Sequence, residues 1–151
     1  MRPALQFTYL YHDFDLIEVR IEVENARFRG SADVYVDTHK LSEVAAKLKG
    51  FPTDVLDARE FMFGGFGSNI AGGAVHLHFF CKDLAGHPII RARIEAFSVD
   101  LRIPSGSQID TPESTVLYVD FEPAALDVFL TQLEEIERIH KGSAVLSMGA
   151  L

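Results

Sequence analysis

The chain has 151 residues, of which 48% are hydrophobic and 12 are Phe, and its 22 acidic against 14 basic side chains give a formal net charge of −8. That length fits one domain, residues 1–151, which buries about two thirds of its unfolded surface. The acid excess argues against nucleic acid and anionic membranes as partners, since both are held by neutralising phosphate.

Phe7 to Tyr11 reads as a short strand. Beyond it, Ile17, Val19, Ile21 and Val23 share one face of a second strand, with Glu18, Arg20, Glu22 and Glu24 on the other. After Asn25-Ala26, Phe28, Gly30, Ala32, Val34 and Val36 line one face of a third. A two-residue turn would set Val23 against Phe28, Glu22 against Arg29 and Glu24 against Arg27, so charge and hydrophobicity agree on one register. Asp37 or Thr38 then caps a helix whose apolar positions, Leu41, Val44, Ala45 and Leu48, recur at threes and fours. Gly50 stands where a left-handed C-terminal residue belongs, and Pro52 blocks continuation.

The middle of the chain is rich in glycine from Phe63 to Gly73. It precedes a strand rather than a helix and lacks a full phosphate-binding motif, so a glycine-eased strand or loop, with Phe61 and Phe63 as packing residues, is the better reading. Next comes a hairpin spanning Val75 to Ile94 about the turn Asp83-Leu84-Ala85-Gly86. It pairs Phe79 with Ile90, Leu77 with Ala92 and Val75 with Ile94 on an apolar face. His78 meets Arg91 and His76 meets Arg93 on the other. Past Glu95 the phase changes, with Phe97 and Val99 apolar where Arg91 and Arg93 had been, which calls for a bulge, a dimer contact or cover by the apolar tail Ala144 to Met148. Pro104 to Glu113 reads as a polar surface loop, Thr115 to Phe121 as a strand. Glu122-Pro123 opens a second helix with the stripe Leu126, Phe129, Leu130, Leu133 and Ile136, closing at Gly142.

The expected fold is therefore α+β. A mainly antiparallel curved sheet of about six to seven strands, in the order β-β-β-α-β-β-β-α, carries two helices packed on one face. No apolar run approaches the roughly 20 residues of a membrane helix. The N-terminus lacks the apolar core of a signal peptide, and the lone Cys81 precludes an internal disulfide, so a cytoplasmic protein is expected.

Candidate chemistry is thin. His76 and His78 stand about 7 Å apart on one strand face, a spacing that metal sites use, but two arginines opposite raise the cost of a dication and the register supplies no acid. Glu137-x-x-His140 is half of a di-iron motif that needs a four-helix bundle to complete it. Cys81 shares parity with Leu77 and Phe79, pointing it at the core without a base. Ser68 lacks the glycine of a nucleophile elbow. These readings lead to a non-enzymatic protein without metal or cofactor. It would bind a protein partner through His76, His78, Arg91 and Arg93, with Glu18 and Glu22 of the first hairpin as further contacts. The alternative is a structural or regulatory module that self-associates, as a homodimer, through Phe97, Val99 and the tail.

Three segments carry a family resemblance: Ile17 to Val23 with Phe28-x-Gly30 and the helix to Phe51-Pro52; Leu77-x-Phe79-x-Cys81-x-Asp83-x-x-Gly86-His87 running into Ile90 to Glu95; and Val119-x-Phe121-x-Pro123-x-Ala125-Leu126. Together they resemble a family of small bacterial α+β proteins, the WapI-like set related to immunity proteins of polymorphic toxins. The resemblance spans residues about 16 to 137. It implies a single α+β domain without catalytic residues that neutralises a toxin domain by occluding it.

Overall fold

A computed structural model describes residues 2–66, 72–99 and 110–149, and excludes the side chains of 97–99 and 110–112. Among the described residues the chain forms eight strands and two α-helices, as β1 (Pro3–His12), β2 (Leu16–Glu24), β3 (Arg29–Asp37), α1 (Lys40–Leu48), β4 (Arg59–Gly64), β5 (Ala74–Cys81), β6 (Pro88–Val99), β7 (Asp110–Asp120), α2 (Leu126–Ile139) and β8 (Ser143–Ser147). They build two antiparallel four-stranded sheets, ordered β3-β2-β1-β8 and β4-β5-β6-β7, here the first and second sheet. The α+β class, the antiparallel pairing and the two helices agree with the sequence. Strands β4 and β8 and the division into two sheets are what the structure adds.

Period-two alternation turns one face of each sheet inward. Leu5, Phe7, Val19, Ile21, Val34 and Leu146 of the first meet Phe63, Leu77, Phe79, Ile90, Ile94 and Val119 of the second in one continuous core. Helix α2 adds Phe129 and Leu133 to it. The Phe7 ring stands edge-on to Phe63 at 5.1 Å and to Phe129 at 5.8 Å, so it joins both sheets and the helix. The sheets approach most closely around β3. A Cβ on Gly30 would lie 2.9 Å from Ile94 Cδ1, and one on Gly73 would lie 2.9 Å from Ala32 Cβ and 3.1 Å from the Asp33 carbonyl. The Gly73 N–H donates to the Asp33 carbonyl at 2.9 Å, which ties the start of β5 to β3. This close passage accounts for Gly73, while Gly64 and Gly72 take left-handed φ values of +71° and +85°; residues 67–71 lie outside the described ones. Phe61 and Phe63 pack in the core.

Helix α1 ends on Lys49 and Gly50, whose φ of +79° is the left-handed conformation the sequence implied. Its start differs from expectation. His39 occupies the N-cap without a side-chain bond, and Asp37, two residues before it, accepts the His39 N–H instead. The Glu137 carboxylate of α2 supplies the missing cap by accepting the Ser42 N–H at 3.2 Å. Helix α2 follows a 3-10 turn over Pro123–Ala125 and closes on His140 in the left-handed region, two residues before Gly142.

Other expectations need correction. The β2–β3 hairpin pairs Val23 with Gly30, Glu22 with Ser31 and Glu24 with Arg29, a two-residue shift from the predicted register. The Asn25 side chain is the cause. Its Oδ1 accepts the N–H groups of Arg27 and Phe28, closing a longer turn that leaves Phe28 exposed outside the strand. Strand β7 begins at Asp110, so the end of the stretch expected as a loop is strand; residues 104–109 lie outside the described ones. The apolar tail is β8, antiparallel to β1 with Ala144 and Leu146 buried, and is spent on the fold rather than left for a partner. The side chains of Phe97 and Val99 lie outside the described residues. Cys81, expected in the core, is only partly buried, because it sits at the strand end opposite Pro88.

Candidate functional site

The β5–β6 hairpin has the register its residues specify: Phe79 opposite Ile90, Leu77 opposite Ala92, Val75 opposite Ile94, His78 opposite Arg91 and His76 opposite Arg93. Its turn is fixed by Asp83. One carboxylate oxygen accepts the N–H groups of Ala85 and His87, and the other meets His87 Nδ1 at 2.7 Å. The His87 side chain, then its backbone N–H, hold the Asp83 carboxyl below its usual range. Gly86 takes a φ of +81°, as a turn this tight requires.

Flanking strands extend the polar face into two rungs. Glu60 of β4, His78, Arg91 and Tyr118 of β7 form one; Met62, His76, Arg93 and Val116 form the next. Among the described residues no helix packs on them. Met62, Val116 and Tyr118 are 42%, 46% and 49% exposed, and Arg93 stacks over the Phe66 ring at 4.1 Å. The Glu60 carboxylate stands 3.9 Å from both His76 and His78, the outer limit of an ion pair. Among the described residues no carboxylate lies within ion-pair distance of Arg91 or Arg93, and no group of three His, Cys, Asp or Glu is arranged to hold a metal ion.

Glu18 and Glu22 are not part of this surface. They lie on the outward face of the first sheet, where Glu22 is paired with Arg29, and Glu18 sits beside the Tyr35 hydroxyl and raises that phenol by its charge. Glu137 caps α1, while His140 stacks on Tyr9 at 5.7 Å and lies tilted against His12 at 4.2 Å. The Cys81 thiol is pushed up by burial and by the nearby charges of Asp57, Asp83 and Asp54, which disfavours the thiolate.

Sequence reasoning missed Glu60, Met62, Val116 and Tyr118. A signal existed in Arg59-Glu-Phe-Met-Phe63, where buried Phe61 and Phe63 alternate with outward Glu60 and Met62. In Thr115 to Phe121, likewise, buried Leu117 and Val119 alternate with outward Val116 and Tyr118. The fold and this surface define a two-sheet α+β protein with an uncovered cationic, aromatic sheet face. No family model matches the chain, and no curated protein or solved structure resembles it significantly.

Proposed function

We propose that this chain is a non-enzymatic binding protein whose docking surface is the outer face of the second sheet. The observation that carries the reading is the pair of uncovered rungs in which Arg91, Arg93, His76 and His78 alternate with exposed Met62, Val116 and Tyr118. Arginine, tyrosine and methionine are the residue types that protein interfaces concentrate, and guanidinium groups that have no ion-pair partner among the described residues are placed to take a carboxylate from a partner. The resemblance of Leu77 to His87 and of Val119 to Leu126 to WapI-like proteins supports a narrower form of the same reading. In it the chain is an immunity-type protein of the bacterial cytoplasm that neutralises a polymorphic toxin domain by covering it, without cofactor or catalysis.

The test is a paired affinity capture from the native cells. The wild-type chain is expected to retain one partner in near-equal amount. An Arg91→Glu/Tyr118→Ala variant with an unchanged far-ultraviolet dichroism spectrum should lose it, whereas Glu18→Gln/Glu22→Gln on the first sheet should keep it. Retention by the Arg91 variant would remove the second-sheet face from consideration.

A further inference from the structure

The turn between β1 and β2 presents a second exposed patch of opposite sign. Phe14 at its apex is 100% exposed, and Tyr11 beside it is 64% exposed. A bulge at Leu10 shifts the β1–β2 register, so Tyr11 stands opposite Glu18 on the outward face. Asp13 and Asp15 flank the ring. The turn is built in advance: Asp13 Oδ1 accepts the N–H groups of Asp15 and Leu16, each at 2.9 Å, and the Asp13 N–H donates to the Leu16 carbonyl at 2.9 Å. Those backbone bonds, led by the one from Leu16, hold the Asp13 carboxyl below its usual range, so it stays ionised. A preformed loop loses little entropy on docking.

We infer that this acid-flanked aromatic tip docks onto the cationic outer face of the second sheet of another copy of the chain, Phe14 lying against Val116 and Tyr118 while Asp13 and Asp15 meet Arg91 and Arg93. The inference rests on that face being a docking surface, and it names the occupant. Two features of the chain argue for a second copy. The tip carries two carboxylates, and the face carries two guanidinium groups two residues apart on one strand, roughly 7 Å, so the patches are complementary in charge. Each patch also has an exposed apolar centre that the other can cover. The two patches belong to different sheets and are not the same surface. The contact is therefore head-to-tail, and chains of copies or closed rings follow from it.

Sedimentation velocity of the full chain, from low to high micromolar concentration at low and high salt, tests this. The weight-average mass should rise with concentration and fall back in high salt, because the contact is charge-assisted. Phe14→Ala/Asp15→Lys and Arg91→Glu/Tyr118→Ala should each weaken self-association by about ten-fold or more. Phe14, Asp15 and Tyr118 are exposed and Arg91 is half-buried on an outward sheet face, so both variants should keep a melting temperature close to that of the wild type. Mixed in equal amounts, the two variants should form a dimer and stop there, since together they retain one intact tip and one intact face. A wild-type chain that stays monomeric throughout overturns the inference and leaves the face free for a foreign partner. Failure of the variants to complement also overturns it, because a contact between like patches would behave that way.

Discussion

The two sheets share a strand count, an antiparallel order and one core, yet their outward faces handle charge in different ways. On the first sheet Arg20 forks onto Asp33, through Nε to Oδ1 at 2.8 Å and Nη2 to Oδ2 at 3.1 Å, and Arg29 pairs with Glu22. On the second, Arg91 and Arg93 share their rungs with two imidazoles, an exposed tyrosine and an exposed valine, and the one acid in those rungs reaches only the histidines. Charges that satisfy one another across strands leave a solvated surface with little to offer. Charges left uncompensated next to apolar side chains hold their interaction energy for a partner. The same alternation that buries Leu77 and Ala92 turns His78 and Arg91 to the outward face, so the candidate site follows directly from the core pattern.

The largest effect is expected where the sheets meet. Gly73→Ala would place a methyl 2.8 Å from the Glu95 carbonyl, 2.9 Å from Ala32 Cβ and 3.1 Å from the Asp33 carbonyl, with backbone on two sides that cannot swing away. A loss of about 3 kcal/mol or more in chemical denaturation is expected, against little change for the exposed Phe14→Ala. A wild-type midpoint for Gly73→Ala would show that the two sheets are not locked together at β3.

How far the sequence discloses the molecule depends on how local the determinants are. The β5–β6 hairpin was readable to the residue because four residues close the turn and every apolar pair agrees with it. The β2–β3 register was not. A shift of two residues keeps each side chain on its face, so hydrophobicity cannot distinguish the registers, and the Asn25 side chain decided between them. Strand β8 pairs with β1 from the far end of the chain, and its five residues carry too short a pattern to announce that partner. Half of the candidate face was legible, since His76, His78, Arg91 and Arg93 lie on one hairpin. Glu60 and Tyr118 arrive from strands whose pairing no local signal specifies.

A second effect separates the edge of the second sheet from its face. Arg59, mostly buried at the start of β4, donates from Nη1 to the carbonyls of Lys47 and Lys49 at the end of α1 and pairs with Asp57 at 2.8 Å. Arg59→Ala removes these charged bonds and should cost about 2 kcal/mol. The Arg59 side chain, then the Thr53 N–H, hold the Asp57 carboxyl down at about 2. Since that value lies below the roughly 3.9 of an unfolded aspartate, the stabilisation is present above pH 4 and is lost as pH falls through 4 toward 2. Acid unfolding of Asp57→Asn should therefore show a shallower slope in that window.

Tyr9 offers a smaller effect of opposite sign. Its ring is buried on the inner face of the first sheet, and among the described residues its hydroxyl is the buried side-chain polar atom without a hydrogen-bond partner. Burial, then the charge of Glu137, raise the phenol above its usual value. Tyr9→Phe removes the unpaired group and keeps the ring, so it should hold or raise stability by up to about 1 kcal/mol. A destabilised Tyr9→Phe would show that the hydroxyl is satisfied in solution.

The sharpest comparison has the smallest energies. Arg20 and Asp33 are 46% and 40% exposed at their side chains, so even their forked geometry is worth a few tenths of a kcal/mol to about 1 kcal/mol. Arg20→Ala should lower the unfolding free energy by that much without affecting any binding activity of the second sheet. Arg91→Ala should do the reverse. With no ion-pair partner among the described residues, it should leave stability unchanged or improve it slightly by removing one of two like charges on the same strand face. Measured side by side in denaturant and in a binding assay, the two alanine variants separate an arginine that serves the fold from one that serves a partner. Equal stability losses would mean that the second-sheet face is satisfied internally after all, and its claim as a docking surface would fall with that result.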